Sequence, residues 1–268
     1  MNTVAAIQMV STPSVADNLA TARRLIEQAV SVGAKLVLLP EYWAIMGLSD
    51  SDKVKVAEPL GRGPIQEFMS AMARQHGIWL LGGTLPLASD DPDKVVNTTL
   101  VYDSEGKHVG RYDKIHLFGF DHGEARVLAA GTDTSAYQIP GFTTMAMTTC
   151  YDLRFPELYR IFVNEGAELV VIPTGWPAAR LEHWLTLTRA RAIENQVFLI
   201  GCNQVGMQES IELAGHSVVI DPWGQMLAEA GDDEEVLTLD LDLATVAKTR
   251  ADFPVLRDRV LGLPTPRH

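Results

Sequence analysis

Residues 142–157 read Phe142-Thr143-Thr144-Met145-Ala146-Met147-Thr148-Thr149-Cys150-Tyr151-Asp152-Leu153-Arg154-Phe155-Pro156-Glu157. The apolar and β-branched residues from Thr144 to Thr149 predict a short buried strand, and Pro156 stands where the first turn of a helix tolerates a missing N–H. Cys150 therefore falls on a sharp turn between a strand and a helix. A thiol placed near a helix N-terminus can have a lowered pKa and an exposed sulfur. By itself, a cysteine that ends an apolar strand is more often a small buried hydrophobe.

The same alternation continues in both directions from this unit. Apolar runs at Val4 to Met9, Lys35 to Leu39, Ile78 to Leu81, Thr98 to Tyr102, Leu169 to Ile172, Val197 to Gly201 and Ser217 to Ile220 have the length and flanks of strands. Between them, 17–31 carries Leu19, Ala22, Ile26 and Ala29 on one helical face, and 64–75 carries Ile65, Phe68, Met69 and Met72. Segment 181–195 also has helical period, with Leu185, Thr188, Ala192 and Asn195 sharing a face and Arg189 and Arg191 on others. Asp103-Ser104-Glu105-Gly106 and Asp221-Pro222-Trp223-Gly224 mark tight connections between strands. This mixture predicts a layered α/β fold.

The 268 residues contain 47% hydrophobic residues, enough to bury a sizeable core. No low-complexity linker interrupts them, so a single domain over 1–268 is expected, with a C-terminal arm over about 250–268. Thirty-four acidic residues against 22 basic give a formal charge of −12, which speaks against nucleic acid and anionic membrane as partners. The opening Met1-Asn2-Thr3-Val4-Ala5-Ala6-Ile7 has no positively charged leader, and no apolar run is long enough to span a bilayer. A cytoplasmic location is the resulting expectation. Cys150 and Cys202 are too few for a disulfide framework or a cysteine-rich zinc site, and the amide chemistry set out below requires no metal or cofactor.

A nucleophilic thiol needs a base for its proton, and an amide substrate needs a donor for the oxyanion. Glu41 directly follows the apolar run Leu36-Val37-Leu38-Leu39-Pro40 and so stands at a strand's C-terminal end, where α/β proteins place their sites. Lys114 lies in Gly110-Arg111-Tyr112-Asp113-Lys114-Ile115-His116-Leu117-Phe118, where an extended backbone puts Lys114, His116 and Phe118 on one face. His116 offers a competing Cys–His dyad of the protease kind. Singly, Glu41 and Lys114 are also ordinary solvated charges.

Taken together, Leu-Leu-Pro-Glu41, Arg-Tyr-Asp-Lys114-Ile-His and Thr-Thr-Cys150-Tyr-Asp-Leu-Arg-Phe-Pro-Glu resemble the three signature motifs of the nitrilase superfamily, in its order of Glu, Lys, Cys. The likeness extends through 182–204 and Gly215-His-Ser-Val-Val-Ile-Asp-Pro-Trp-Gly224. It implies a four-layer αββα sandwich, paired into a homodimer. It also implies Cys150 as nucleophile, Glu41 as general base and Lys114 as oxyanion stabiliser, aided by the backbone N–H of Tyr151. Glu124, spaced from Gly131 as the superfamily's second glutamate is, would position substrate or Lys114, although the connection from Phe118 is shorter than in many relatives.

Within the superfamily, Cys-Tyr-Asp-Leu-Arg-Phe-Pro-Glu-Leu-Tyr resembles the branch of omega-amidases and deaminated-glutathione amidases. The implied reaction is hydrolysis of a small linear amide to carboxylate and ammonia through a thioester. An N-carbamoyl-amino-acid hydrolase would carry two adjacent arginines where this chain has Leu153-Arg154. That enzyme, a nitrilase and an inactive binding scaffold are the alternatives. Arg154 could bind a substrate carboxylate bidentately or brace the turn against Asp152 or Glu157. Tyr42, Trp43, Phe118, Trp176 and His183 are candidate pocket walls, His122 is a candidate at the mouth, and Cys202 reads as structural.

Overall fold

A computed structural model of the protein describes residues 2–46, 49–119, 123–134 and 136–261. Its elements run β1 (Thr3–Gln8), α1 (Val15–Ser31), β2 (Leu36–Leu38), α2 (Asp50–Lys55), α3 (Pro64–His76), β3 (Trp79–Leu81), β4 (Leu85–Ala88), β5 (Val95–Tyr102), β6 (His108–Asp113), β7 (Leu128–Ala129), β8 (Tyr137–Gln138) and β9 (Thr144–Met147). The second half follows as α4 (Pro156–Asn164), β10 (Leu169–Thr174), α5 (Leu181–Asn195), β11 (Phe198–Asn203), β12 (Val205–Gln208), β13 (Ile211–Ala214), β14 (Val218–Ile220), β15 (Met226–Glu229), β16 (Glu235–Asp240) and α6 (Ala244–Asp252). Each of the eight strands and three helices read from the sequence has its counterpart here.

Among the described residues the elements form two large sheets and a separate two-stranded one, β12-β13. The first has the order β16-β1-β2-β3-β5-β4, with β6 and β7 also paired to β5, and the second has the order β15-β14-β11-β10-β9-β8. Each is built on three parallel strands, β1-β2-β3 and β9-β10-β11, flanked by antiparallel partners. β1 is apolar at successive positions because both of its faces are covered. Val4 and Ala6 belong to the core shared with the second sheet, whereas Ala5 and Ile7 pack with Ala22, Ile26, Met69 and Met72 of α1 and α3. On the far side, Tyr159 and Phe162 of α4 and Trp184 and Ala192 of α5 cover the second sheet. The result is the four-layer αββα sandwich.

Two readings need adjustment. Arg191, assigned to an outer face of its helix, is buried together with Trp184, Thr188 and Asn195, because the packed stripe runs one residue around from the predicted one. Ala244–Asp252 is helical, so the C-terminal arm starts at Phe253, and it forms a turn over 255–258 rather than staying extended. From there the chain returns over the body: Phe253 meets the Trp223 ring edge-on at 5.6 Å, and Arg259 donates to Asn164 Oδ1 at 2.8 Å. None of the helices among the described residues is long and apolar enough to cross a membrane.

Candidate active site

Two backbone distortions mark where the strands β2 and β9 end. Tyr42 and Cys150 have φ of 53° and 44°, the left-handed region that non-glycine residues rarely occupy. The Glu41–Tyr42 turn is held from three sides: Tyr42 N–H donates to Thr84 Oγ1 at 2.9 Å, Gln204 donates to the Glu41 carbonyl at 3.1 Å, and Gly83 lies underneath. A Cβ on Gly83 would come within 1.9 Å of the Pro40 carbonyl oxygen, so only glycine fits there. Cys150 opens a one-turn 3-10 segment, Cys150–Arg154, that precedes α4.

The Asp152 carboxylate ties this turn to the lysine segment. It accepts from Thr149 N at 2.9 Å, from Tyr112 Oη at 2.6 Å and from His116 N at 3.0 Å, and it pairs with His116 Nδ1 at 2.7 Å. The His116 ring stacks on Phe155 with centroids 3.6 Å apart. β6 ends at Asp113, and beyond it His116 turns to Asp152 while Lys114 and Phe118 line the cavity. Arg191 braces the same turn from α5, donating through Nε and Nη2 to the Leu153 carbonyl at 3.0 and 2.9 Å.

Lys114, only 1% exposed, reaches both glutamates: Nζ is 3.0 Å from Glu41 Oε1 and 2.8 Å from Glu124 Oε2. Glu41 also accepts from Asn97 Nδ2 at 2.9 Å and from Gly175 N at 3.0 Å. Glu124 opens a short 3-10 turn and accepts from Phe118 N at 2.8 Å. These three side chains and Cys150 line one cavity of about 300 Å³, together with Tyr42, Phe118, Tyr151, Arg154 and Trp176.

The electrostatics follow from this packing. Burial raises the Glu41 pKa, but the Lys114 charge and the bonds from Lys114, Asn97 and Gly175 outweigh it, so Glu41 titrates below its ordinary 4.5. Burial likewise opposes the Lys114 ammonium, and the charges of Glu41 and Glu124 overcome it to hold the lysine well above its ordinary 10.5. The Cys150 thiol is pushed well up, by burial first and then by Glu41, against the smaller opposing effects of Lys114 and Thr174. The lowered thiol pKa expected from a helix N-terminus gives way to a raised one, because burial of the sulfur, and then the Glu41 carboxylate, push it up. At neutral pH the resting centre holds a thiol, a carboxylate and an ammonium.

Several sequence-predicted residues fall elsewhere. Trp43 is fully buried on the helix side of the first sheet, with its indole N–H donating to the Gly82 carbonyl at 2.7 Å, away from the lining of the Cys150 cavity. His183 contacts Arg154 at 3.4 Å but lies outside the lining, as does His116. His122 lies outside the described residues. Arg154 does not brace against Asp152 or Glu157; its guanidinium sits 4.8 Å from the Trp176 ring. Cys202 is buried between the sheets, as read. The lining residues that the sequence left unnoticed include Met46 and Lys53, Gly175, Pro177 and Arg180, and Gln208, Ile211 and Leu213 of the β12–β13 hairpin.

A cysteine on a left-handed turn, a carboxylate and a buried lysine thus line one cavity of an αββα sandwich. The chain belongs to the carbon-nitrogen hydrolase family, whose model matches residues 3–251, and it is an enzyme of that family. It is 41% identical to a 2-oxoglutaramate amidase of Paenarthrobacter nicotinovorans over 84% of this chain and 78% of that one. It is 34% identical to a deaminated glutathione amidase of Synechocystis over 96% of this chain and 97% of the relative. Among solved structures, Saccharomyces cerevisiae Nit3, a member of branch 10 of the nitrilase superfamily, matches with a TM-score of 0.89 at 31% identity, covering 97% of each chain.

Proposed function

We propose that this single-domain enzyme hydrolyses linear amides whose acyl part is a 2-oxo acid with a second, amidated carboxyl group. The substrates in view are a 2-oxo acid omega-amide such as 2-oxoglutaramate, or deaminated glutathione, which shares that acyl head. The observation that carries the reading is Lys114 held between Glu41 and Glu124 on the wall of the Cys150 cavity. The relatives' printed activities supply the acyl group.

In this reading Glu41 takes the Sγ proton while the sulfur forms its bond to the amide carbon. The transfer has to accompany attack, because a thiol with a raised pKa cannot ionise ahead of it beside a carboxylate with a lowered one. Lys114 and the Tyr151 N–H hold the developing oxyanion. As it collapses, the C–N bond breaks and the proton on Glu41 moves to the departing nitrogen, which leaves as ammonia from a primary amide or as an amine from a secondary one. A water that loses a proton to Glu41 then adds to the thioester, the C–S bond breaks, and the thiol is restored. Glu124 fixes Lys114 in place. Tyr42, Phe118, Trp176, Tyr151 and Arg154 bind substrate, with the Arg154 guanidinium taking the acyl carboxylate.

The reading also includes a cytosolic homodimer. The test is release of ammonia or amine by wild type and Cys150→Ala from 2-oxoglutaramate, deaminated glutathione, an N-carbamoyl amino acid and a simple nitrile. Cysteine-dependent turnover confined to the first two is the expected result. Turnover of only the last two, or of none, would sink the reading.

A further inference from the structure

The two oxygens of the Glu41 carboxylate are held unequally. Oε1 accepts from Asn97 Nδ2 at 2.9 Å and from Lys114 Nζ at 3.0 Å, which fills the capacity of a carboxylate oxygen. Oε2 accepts one bond among the described residues, from Gly175 N at 3.0 Å. The donors also come from opposite sides. Asn97 belongs to β5 and Lys114 follows β6, both in the first sheet, whereas Gly175 follows β10 in the second. Cys150 follows β9, the neighbour of β10, and Thr174, next to Gly175, lies close enough to Cys150 to favour its thiolate. Oε2 is therefore the oxygen held on the Cys150 side, and it is the one with a lone pair to spare.

Asn97 is fully buried. Its Oδ1 has no hydrogen-bond donor among the described residues, so the bond its side chain makes is the donation to Glu41. A buried amide oxygen without a donor lowers stability, and such a group in a folded protein calls for a reason. The reverse orientation of the amide would set Oδ1 against the carboxylate, so Glu41 fixes the observed one. The Asn97 backbone acts separately: its carbonyl accepts from Lys114 N at 2.9 Å. A side-chain substitution leaves that anchor in place, which lets the two contributions be measured apart.

We propose that Asn97 is a positioning residue which, with Lys114, closes Glu41 Oε1, so that Oε2 takes the Cys150 proton and returns it to the departing nitrogen. The inference rests on Glu41 as the general base of the proposed function, and the route of the proton is what it adds. Without the Asn97 donor, the proton can rest on Oε1, one oxygen removed from the sulfur. It is also held more tightly, because a hydrogen bond that favours the carboxylate has been lost. Both changes slow its delivery to the leaving group. The titratable groups around the carboxylate, Lys114, Glu124, Cys150 and Tyr42, are the same in wild type and variant.

The first experiment is the pH profile of ammonia release from 2-oxoglutaramate by wild type and Asn97→Leu. Loss of the donor should lower kcat about 10- to 100-fold with KM within about threefold, and should move the acidic limb of kcat/KM up by about one to two pH units, the span of one hydrogen bond to a charged group. Activity is lost as pH falls through the Glu41 pKa, so a raised pKa carries the limb upward. A merely structural asparagine would lower kcat or the melting temperature without moving the limb. An unmoved limb or an unchanged kcat overturns the proposal.

The second experiment reads Glu41 without turnover. In Cys150→Ala protein, the infrared band of the protonated carboxyl that Glu41→Gln abolishes is followed against pH, with and without Asn97→Leu. Its appearance at higher pH in the variant supports the proposal, and coincident titrations overturn it. Absence of turnover by wild type would defeat the amidase reading while this arm still decides whether Asn97 holds the carboxylate. Should Asn97→Leu fail to fold, Asn97→Val serves in both arms.

Discussion

The protein has two cysteines in two kinds of surroundings. Cys202 lies within β11, fully buried, its thiol donating to the Ile7 and Leu38 carbonyls at 3.1 and 3.4 Å across the gap between the sheets. Cys150 sits on a strained turn at the end of β9 and opens onto the cavity. Burial raises both thiol pKa values far above the ordinary 9.0, so acidity does not tell them apart. What separates them is their neighbours. Cys202 has two backbone acceptors, whereas Cys150 has a carboxylate that can take its proton and an ammonium that can hold an oxyanion. In the proposed mechanism, reactivity comes from a base and a cation placed beside a neutral thiol rather than from a preformed thiolate.

Replacing the two sulfurs separately gives the sharpest contrast. Cys150→Ala should lower kcat by about 10⁴-fold or more, since no covalent route remains, and Cys202→Ala should leave kcat within about twofold. Steady-state release of product measures both, and equal losses in the two variants would break the comparison.

The next largest effect is at the charge cluster that distinguishes the Cys150 region. Lys114→Met leaves two buried or half-buried carboxylates without their cation, which should cost about 3–5 kcal/mol of stability and about 10³-fold in kcat. The pH dependence separates the partners. Glu41 titrates below 4.5 in the folded chain, so its contribution is complete above 4.5 and disappears as pH falls through the lowered value. Lys114 is raised above 10.5, so its contribution is complete below 10.5 and disappears as pH rises through the raised value. Denaturant melts across pH should show both limbs in wild type and flatter limbs in Lys114→Met. Limbs of equal steepness in the two proteins would mean that the cluster contributes no linkage.

The contrast also shows how far the sequence could be read. Strands were visible because burial on two faces writes them as continuous apolar runs, and α3 and α4 because Pro64 and Pro156 mark their first turns. Glu41, Lys114 and Cys150 stood out through motifs around them. Asn97 and Gly175 did not, since they reach Glu41 across 56 and 134 residues of chain and nothing local to either announces a bond. Lys53, on a six-residue helix, reads as a solvated charge until the fold turns it against Tyr42. Trp43 was misplaced because the tight turn at Tyr42 sends adjacent side chains to opposite destinations, one to the cavity and the next to the helix-side core. A signal for Arg191 is present, in that residues 184, 188, 191 and 195 keep helical spacing one residue around from the face through Leu185.

The smallest effect concerns Cys202 alone. Removing its sulfur leaves a void of about one atom between the sheets and deletes a weak thiol hydrogen bond, with no charge stranded. A loss of about 1 kcal/mol is the expected scale, or roughly 2–4 °C in the melting temperature of a domain this size. Iodoacetamide applied to the native protein should modify Cys150 and spare Cys202, because the path to Cys202 is closed by β1 and β2 on one side and by the second sheet on the other. In Cys150→Ala protein alkylation should then be absent until denaturant exposes the remaining thiol. Native-state labelling of Cys202 at a rate comparable to Cys150 would show that the two sheets separate readily, and the distinction between a site thiol and a core thiol would reduce to one of degree.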